Sequence, residues 1–406
     1  MRIKPISISL SPNTEKDDVF LAFKLLFQPW KWKKGEVTKE LEEQFKNYFN
    51  VKYAFSFNSA RSCLMAILKD CQGSFLTQAF TCNAASNPAK WFGLNPVYVD
   101  AGNDFNIDLE DLKKKITPNS KFLMVQHTFG IPANMEEITK IAEQNNLILI
   151  EDCAHSLGAE YKGKKIGTFG KAAFFSFSRD KIISCVYGGV VITNDDQLAE
   201  KIAKFQEKIG YPTLLWIKQQ LLHPILMNWL IIPTYRIIGK YLLVFFQSVR
   251  ILSKAVHWRE KKGDIPSYFP RRMPNALALL ALNQFKKLER FNKHRKEISE
   301  FYFKNLIGFE LSSVKENTKP VFLRFSVKHK DAHKIIRDCW NKNILIGDWY
   351  TSPIAPQDTD LEKMGYKMGS CPNAERLSKI TLNLPTHINI SQKDAQKIVD
   401  LLNKYK

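Results

Sequence analysis

Residues 150–195, "IEDCAHSLGAEYKGKKIGTFGKAAFFSFSRDKIISCVYGGVVITND", place an acidic residue and a lysine after two apolar, strand-like runs. Asp152 ends the run "LILIED", and Lys181 stands between "AAFFSFS" and the pair Gly188 and Gly189, which opens a third apolar run. Lysine side chains are seldom buried. This one is therefore either an ordinary surface residue at a turn or a buried amine held for chemistry. Most of what the sequence says about function depends on that choice.

The surrounding sequence, from about residue 50 to 200, alternates between short apolar runs and helical patterns. Strand candidates are "VKYAFSFN", "NPVYVDAG", "KFLMVQHTF" and "NLILIEDCA", whereas "ARSCLMAILKDC" and "MEEITKIAEQNN" have the periodicity of helices. This alternation predicts an α/β fold with a mainly parallel sheet covered on both faces. Ligands of such sheets bind beyond the carboxyl ends of the strands. Asp152 and His127 would both lie at such ends.

The sequence predicts three parts. Residues 1–210 would form a large domain, residues 211–265 an apolar, basic helical insertion, and residues 266–406 a smaller α+β C-terminal domain. The last part contains a long amphipathic pattern, "NALALLALNQFKKLERFNKHRKEISEFYFKNL", which predicts one continuous helix. The strand candidate "VFLRFSVKH" and two further helices follow, the last with Ser391 as its N-cap.

The insertion differs from both neighbours in its charge. Residues 208–259 contain no Asp or Glu but seven Lys or Arg. Their longest uncharged run, residues 219–235, has 17 residues, which is shorter than the roughly 20 apolar residues that span a bilayer. A basic, aromatic and apolar segment suits a membrane interface, and it equally suits packing against the body or against another subunit. We therefore expect peripheral membrane contact through residues 211–259 as one of three open alternatives, the others being packing within the protein or an oligomer and, least favoured, a true membrane span.

Composition excludes several classes of protein. A hydrophobic content of 45% and a charged content of 25% are typical of a folded globular protein rather than a disordered one. The seven cysteines are scattered without a C-x-x-C pair, which predicts neither a disulfide framework nor a zinc site and favours a cytoplasmic location. The first residues lack a signal-peptide pattern. The histidines show no metal-ligand spacing, so we predict no metal.

The formal net charge of +20 calls for an anionic partner. Nucleic acid is the first alternative, but the positive charge is spread along the chain and no nucleic-acid-binding motif accompanies it. We therefore predict no nucleic-acid binding. Anionic small molecules or an anionic membrane surface fit the charge better.

Three pieces of the sequence would meet at one edge of the sheet: the carboxylate of Asp152, the amine of Lys181, and the turn "NSARS" before a helix. The first amides of a helix bind phosphate well. A lysine can form a Schiff base with an aldehyde, and a carboxylate can pair with a protonated pyridine nitrogen. These three requirements are those of pyridoxal 5'-phosphate (PLP).

The local sequences are more specific than this arrangement. Residues 150–195 resemble the central signature of the DegT/DnrJ/StrS family of nucleotide-sugar aminotransferases, which combines E-D-x-A-[QH], G-x-x-x-G-T-F-G and F-S-F-x-x-x-K with a strand that begins G-G. "GEVTKELEEQFKNYFNVKYAFSFNSA", "VQHTFGIPANMEEI" and "CPNAERLSKITLNLPTH" extend the resemblance over most of the chain. Residues 211–265 are the main exception.

The resemblance implies the fold of a fold-type-I PLP-dependent transferase, a homodimer with its active site at the interface, and a role for each matching residue. Lys181 falls on the lysine that binds the cofactor aldehyde and moves protons during transamination. The other implied cofactor contacts are Asp152 on the pyridine nitrogen, His155 facing the ring, Ser176 on the phosphate, and Ala60 and Arg61 in the phosphate-binding turn.

The resemblance also implies the reaction: transfer of an amino group, from L-glutamate, to a keto nucleotide sugar for lipopolysaccharide or another surface polysaccharide. A PLP-dependent sugar dehydratase of the same family is an alternative, although such dehydratases carry histidine in place of the lysine, so Lys181 counts against it. A non-catalytic, membrane-associated scaffold is a second alternative, in which the insertion would carry the function by binding the membrane.

The phosphate-binding turn departs from the family pattern. The usual "SGTAAL" is "SARSCL" here, so the glycine is replaced by Ala60 and the threonine hydroxyl is absent. Ser62 could supply a hydroxyl instead. Farther along the chain, Pro270 replaces the asparagine that reaches a phosphate across the dimer, while Arg272 keeps the arginine.

A second departure concerns the aromatic residue that usually stacks on the pyridine ring. Cys82 occupies that position in "AFTCNAA". The sequence offers Phe80 as a neighbour to which the stacking could shift.

Overall fold

The computed structural model describes residues 3–406. The strands are β1 Ile6–Ser7, β2 Tyr53–Phe57, β3 Ser74–Gln78, β4 Thr81–Cys82, β5 Asn95–Val99, β6 Ser120–Gln126, β7 Ile148–Asp152, β8 Glu160–Tyr161, β9 Lys164–Lys165, β10 Ala172–Ser176, β11 Gly189–Thr193, β12 Glu310–Leu311, β13 Thr318–Lys319, β14 Arg324–Lys328, β15 Ile344–Leu345, β16 Ile354–Ala355 and β17 Thr381–Pro385. The α-helices are α1 Lys16–Leu26, α2 Val37–Phe49, α3 Ala60–Leu68, α4 Asn83–Trp91, α5 Leu109–Lys115, α6 Met135–Gln144, α7 Asp196–Lys208, α8 Leu214–Leu226, α9 Lys240–Ser248, α10 Trp258–Lys261, α11 Asn275–Phe285, α12 Leu288–Asn305, α13 Ala332–Asn341, α14 Pro372–Ile380 and α15 Gln392–Leu402.

The central sheet has seven strands in the order β2-β11-β10-β7-β6-β3-β5. The pairs from β10 to β5 are all parallel, and β11 runs antiparallel to both of its neighbours. This topology confirms the prediction of a mainly parallel sheet. The sheet places the carboxyl ends of β7 and β10 side by side, with Asp152 directly opposite Phe174 in the register.

Apolar residues on the two faces of the sheet belong to two separate core clusters. Phe175 and Val190 contribute to the cluster that α2, α6 and α11 cover. Phe174 and Val191, their neighbours in sequence, contribute to the cluster that α3, α4 and α7 cover. Because successive side chains of a strand point to opposite faces, these apolar runs need helices on both sides of the sheet.

The C-terminal part contains a three-stranded antiparallel sheet, β12-β14-β17. It packs with α12, α13 and α15 around its own apolar cluster. Ser391 caps α15, since its hydroxyl accepts a hydrogen bond from the Asp394 amide. The predicted strand and helices of this part are therefore present.

The prediction of one long helix over residues 275–306 was wrong, because the chain forms two helices that break at Lys286 and Lys287. α11 is buried in the core of the large sheet, whereas α12 turns its apolar face toward the C-terminal cluster. Lys287 fixes the break to α1 through ion pairs of 2.9 Å to Asp17 and 3.0 Å to Asp18. The two halves of this amphipathic segment thus pack into two different apolar cores, and the chain bends where one half ends and the other begins.

The insertion divides into a packed half and an exposed half. α8 packs against α1 and buries Ile217, Leu221 and Ile225. Two π-helical turns, Met227–Ile231 and Tyr235–Gly239, lead into α9, which has no buried residue. Within residues 3–406 no single helix is long and apolar enough to cross a membrane. By length and composition, the segments Leu214–Ile231 and Tyr235–Ser248 pass that test only as a pair, bent by 112°.

Candidate active site

A cavity of about 1240 Å³ lies beyond the carboxyl ends of β7 and β10. The structure places all six site residues predicted from the sequence on its wall: Ala60, Arg61, Asp152, His155, Ser176 and Lys181. Parts of the chain that were not predicted to contribute also line it, including Arg324 on β14 and the segment from Gly347 to Thr351.

Lys181 follows β10 in a loop that turns its side chain into this cavity. Its backbone carbonyl accepts a hydrogen bond from the Asn13 side chain, and its Nζ lies 4.7 Å from the centre of the Trp349 ring. Burial lowers the pKa of Lys181, against the opposing influence of the nearby Asp180 and Asp152 carboxylates. Since only the neutral amine is nucleophilic, a lowered pKa suits a lysine that reacts with an aldehyde. Lys181 is thus a half-buried amine on the cavity wall rather than a solvated turn residue.

Asp152 is buried at the end of β7, where its Oδ1 accepts a hydrogen bond of 2.9 Å from the Ala154 amide. Burial raises the pKa of Asp152, and the positive charge of Lys181 partly opposes this rise. A buried carboxylate is costly unless a cation or hydrogen-bond donor compensates for the lost water. A protonated ring nitrogen in the cavity would supply that compensation.

His155 is a buried, uncharged imidazole. Its Nδ1 accepts a hydrogen bond of 3.2 Å from the Phe129 amide, which assigns the ring proton to Nε2. Burial lowers the pKa of His155 well below its usual value, and the charges of Lys181 and Arg324 lower it further. The ring stacks on Trp349 with a centroid distance of 5.4 Å and an interplanar angle of 20°. His155 and Trp349 therefore form a flat aromatic wall beside the lysine.

Phe80, the neighbour to which ring stacking could shift, lies outside the cavity, whereas Trp349 and Tyr350 line it. Phe80 has a positive φ of 63°, is fully buried, and packs 5.7 Å from Phe105. It does not line the cavity, whereas Cys82 does. Trp349 lies far along the chain, after β15, so no local pattern around Cys82 could have identified it.

The first turn of α3 faces the cavity through Ala60 and Arg61. Ser59 caps the helix by accepting a hydrogen bond of 3.1 Å from the Ser62 amide. The amides of the first helical turn lack partners within the helix, which leaves the Ala60 and Arg61 amides for an anion. Ser62 does not contribute as expected, because it is buried outside the cavity and donates its hydroxyl hydrogen to Asn58 at 2.7 Å.

The glycine pair of the signature allows the start of β11 to pass close to this turn. A Cβ on Gly189 would lie 2.8 Å from the Ala60 nitrogen and 2.7 Å from the Phe175 oxygen. Such contacts are too short for any side chain. Gly189 therefore brings the turn that carries Ala60 next to the end of β10, where Ser176 lies on the cavity wall with its hydroxyl 3.3 Å from that of Ser178.

The side chain of Arg61 has a partner that the sequence did not reveal. It forms a buried ion pair with Glu260 of α10, and its guanidinium lies 5.4 Å from the centre of the Phe269 ring. Its charge is therefore compensated within the protein, and the pair fastens the end of the insertion to α3. Any contact of this residue with a phosphate would come from its backbone amide.

Arg324, like Trp349, lines the cavity without having been predicted from the sequence. It is buried on β14, donates a hydrogen bond of 2.9 Å to Asp180, and holds its guanidinium 3.2 Å from the centre of the Trp349 ring. An arginine inside the apolar strand "VFLRFSVKH" is an available signal, because fully buried arginines are rare unless they are paired.

His127 and Arg272 do not line the cavity. His127 is buried, its Nδ1 accepts a hydrogen bond of 3.1 Å from the Ala133 amide, and its Nε2 lies 3.4 Å from Glu151. His127, Glu151 and Cys153 could together hold a metal ion. However, Glu151 already accepts hydrogen bonds from three backbone amides, those of Gly167, Phe169 and Gly170. These hydrogen bonds within the protein are enough to explain why His127 and Glu151 are buried here. The absence of a bound metal stays a prediction.

The residues on the cavity wall fit PLP. A desolvated amine, a desolvated carboxylate and the first amides of α3 surround one space. They match the aldehyde, the ring nitrogen and the phosphate of that cofactor. The cavity is also larger than most pockets for small ligands, which occupy about 300–1,000 Å³.

Comparisons with known proteins identify the family. The sequence profile of the DegT/DnrJ/EryC1/StrS aminotransferase family matches residues 14–213 and 248–403 and leaves out most of the insertion. An uncharacterized protein of Methanocaldococcus jannaschii is 30% identical over 91% of this chain and 90% of its own length. GDP-perosamine synthase of Escherichia coli O157:H7 is 26% identical over 93% of this chain and 92% of its own.

A solved structure shows the same fold. The PLP form of a putative sugar aminotransferase from Streptococcus pneumoniae has a TM-score of 0.75 and 19% identity, and the match covers 100% of this chain and 98% of that one. Fold, site chemistry and family profile agree on one class of enzyme. The chain belongs to the DegT/DnrJ/EryC1/StrS aminotransferase family and is a PLP-dependent sugar transaminase.

Proposed function

We propose that the enzyme moves an amino group from L-glutamate to the keto carbon of a nucleotide-linked sugar, and that the product enters lipopolysaccharide or another surface polysaccharide. One observation carries this proposal: Lys181 and Asp152 share a single cavity whose volume of about 1240 Å³ exceeds what the cofactor needs. The similarity to GDP-perosamine synthase supports a nucleotide sugar as the occupant of the remaining space.

In this mechanism the chain's own residues hold the reactants and move protons. Bound PLP supplies an aldehyde that combines with amines and a ring that takes up electrons from the adjacent carbon. Lys181 Nζ takes a proton from the α-carbon of the amino donor and, in the second half of the reaction, delivers a proton to the former keto carbon of the sugar. Asp152 keeps the ring nitrogen protonated. The wall of His155 and Trp349 keeps water away from one face of the site.

The alternative of a sugar dehydratase has less support. The family resemblance associates that reaction with histidine at the position of Lys181, and this chain retains the lysine. The buried environment that lowers the pKa of Lys181 would have no purpose for an inert residue. A non-catalytic scaffold has no support, because the family of the chain is one of aminotransferases.

A homodimer is part of the proposal. Arg272 lies outside the cavity of its own chain, with its guanidinium 5.3 Å from the centre of the Tyr211 ring. Its backbone bridges to Phe57 on β2, the edge strand of the central sheet, and this position is compatible with a contact to the phosphate site of a second copy, as the family resemblance implies.

The test of the proposed reaction is a screen of the purified holoenzyme with glutamate and a panel of 3-keto and 4-keto nucleotide sugars, followed by mass spectrometry. We expect one sugar class to lose its carbonyl oxygen and gain an amino group, with 2-oxoglutarate formed in equal amount. Conversion of a keto sugar to a dehydrated product without consumption of glutamate would instead establish the dehydratase.

We also propose that the exposed half of the insertion contacts the inner, cytoplasmic face of an anionic membrane. Tyr241, Val244 and Phe245 on α9 are 73%, 62% and 54% exposed. They lie in a stretch of the chain without a single acidic residue. Arg250 and Lys254 are exposed in the same stretch. Each cation near an anionic bilayer contributes about 1 kcal/mol to attraction.

Vesicle flotation tests this contact. We expect the protein to float with vesicles that contain phosphatidylglycerol, to float less at 0.5 M salt because screening weakens the attraction, and to stay behind with neutral vesicles. Val244→Asp combined with Phe245→Asp should abolish flotation, because two carboxylates would enter the apolar face. Ile307→Asp, at an exposed apolar residue outside the insertion, is the control and should float normally. Equal recovery of all proteins in the unbound fraction would rule out the contact.

A further inference from the structure

The insertion that distinguishes this chain from its family profile forms one wall of the catalytic cavity. Tyr235, Arg236, Lys240 and Tyr241 line the same space as Lys181. The family profile does not match residues 214–247, so these four side chains belong to a part of the site that lies outside the family profile. This wall is therefore placed to contact the part of the substrate that extends away from the cofactor.

Only some of the cationic side chains on the cavity wall form an ion pair with a carboxylate. The cationic side chains that line the cavity are Arg61, Lys181, Arg236, Lys240 and Arg324. Arg61 is paired with Glu260, Arg324 is paired with Asp180, and Lys181 is the reactive amine.

Arg236 and Lys240 are the cations that remain. Residues 208–259 contain no carboxylate. Of the carboxylates on the cavity wall, Asp180 is paired with Arg324 and Asp358 with Lys261. In the part of the chain that the structure describes, neither Asp152 nor Asp348 forms an ion pair with Arg236 or Lys240. Both side chains are solvent-exposed and line the cavity. Two cations without a protein counter-charge, at the mouth of a reactive cavity, attract an anionic group of the substrate.

We propose that Arg236 and Lys240 form a subsite for the diphosphate of the sugar substrate. This inference rests on the proposed function, because it assigns part of the sugar substrate to this wall. The two residues are four apart across the junction of Tyr235–Gly239 with α9, so their side chains lie on the same side of the helical segment. Arg236 binds phosphate oxygens through two parallel N–H donors, and Lys240 adds a point charge.

Sugar diphosphates come from two sources, and the position of the subsite is compatible with both. A nucleoside diphosphate would extend from the subsite along the cavity. A polyprenyl diphosphate would leave along the apolar surface that begins beside it, where Ile237 and Ile238 are 61% and 49% exposed. The shared chemistry is the diphosphate, and its source is decided by experiment.

The experiment uses the PLP-loaded full-length protein and three variants: Arg236→Ala, Lys240→Ala and the double variant. Lys218→Ala, an exposed lysine of the same insertion outside the cavity, is the matched control. Calorimetric titration with inorganic pyrophosphate measures the subsite without any turnover. We expect each single variant to weaken pyrophosphate binding about 10-fold, as for the loss of one hydrogen bond to a charged group. The double variant should weaken it further, and the control should bind as the wild type does.

Kinetics then separate this subsite from the proposed function. The half-reaction with glutamate, followed by the change in cofactor absorbance, should proceed at the wild-type rate in all variants. The KM for the keto sugar should rise about 10-fold or more in the double variant with little change in kcat, since the lost contact is to the unreacting diphosphate. A wild-type enzyme that ignores glutamate contradicts the proposed function while leaving the pyrophosphate result readable.

Two competitors identify the source of the diphosphate. Uridine diphosphate that displaces pyrophosphate more effectively than farnesyl diphosphate supports the subsite with a nucleotide substrate. The reverse order supports it with a lipid-linked substrate. Pyrophosphate binding and sugar KM that are the same in the double variant as in Lys218→Ala would overturn the proposal.

Discussion

Replacing Lys181 with alanine is expected to lower the rate of transamination about 10⁴-fold, the upper range for loss of a positioned acid–base group. The variant loses both the amine that reacts with the cofactor aldehyde and the group that moves the proton. Arg61 and Arg324 on the cavity wall cannot replace it, since both are held in ion pairs and arginine stays protonated at neutral pH. The measurement is the rate of 2-oxoglutarate formation from glutamate at saturating PLP.

The absorbance spectrum gives an independent readout of the same variant. Wild-type protein reconstituted with PLP should show the visible band of a lysine-bound cofactor, and Lys181→Ala should show only the band of free or loosely bound PLP. Lys171→Ala is a suitable control, because Lys171 is a surface lysine at the start of β10 that pairs with Asp195 at 3.1 Å. A normal visible band and normal turnover in Lys181→Ala would contradict the assignment of this lysine.

Replacing Asp152 with asparagine is the second large effect that we expect. Asparagine keeps the shape and can still accept the hydrogen bond from the Ala154 amide, but it cannot pair as an anion with a protonated ring nitrogen. Turnover should fall at least about 10²-fold, as for the loss of one preorganised electrostatic partner. The control is Asp108→Asn, since Asp108 caps the remote helix α5 and this change should leave turnover unchanged. An Asp152→Asn enzyme with wild-type turnover would refute the pairing.

The same substitution should stabilise the protein when the cofactor is absent. Burial raises the pKa of Asp152 above 3.8, the ordinary value for an aspartate, so the folded state holds this proton more tightly than the unfolded state. The free energy of unfolding of cofactor-free protein therefore falls as the pH rises from 3.8 through the folded pKa, and the loss persists at pH 7. Asp152→Asn removes this loss. Thermal unfolding of the cofactor-free proteins at pH 7 should show a higher Tm for the variant, and addition of PLP should raise the Tm of the wild type more.

The alternation of apolar runs with helical periodicity was sufficient to predict the mainly parallel sheet. Asp152 and Lys181 could be assigned to one site because carboxyl ends of parallel strands meet at one edge. The prediction of one continuous helix failed at the break between α11 and α12, because the two halves of that amphipathic segment pack into different apolar cores. The sequence also left Phe80 open as a stacking residue, whereas the structure gives it a positive φ and buries it outside the cavity.

The sequence by itself predicted the candidate reactive residues and determined the class of chemistry, because the lysine, the carboxylate and the glycine pair lie within one continuous segment that resembles the family signature. Only the tertiary structure decided what surrounds them. Trp349, Arg324 and Glu260 are more than 60 residues from Lys181 along the chain, yet they contact the site or fasten its wall. The physical reason is that the burial and the ion pairs of a side chain depend on which distant segments of the chain pack against it. The local periodicity of a sequence does not specify those segments. The insertion is the clearest case, since its composition fitted both packing and exposure, and the folded chain uses one half for each.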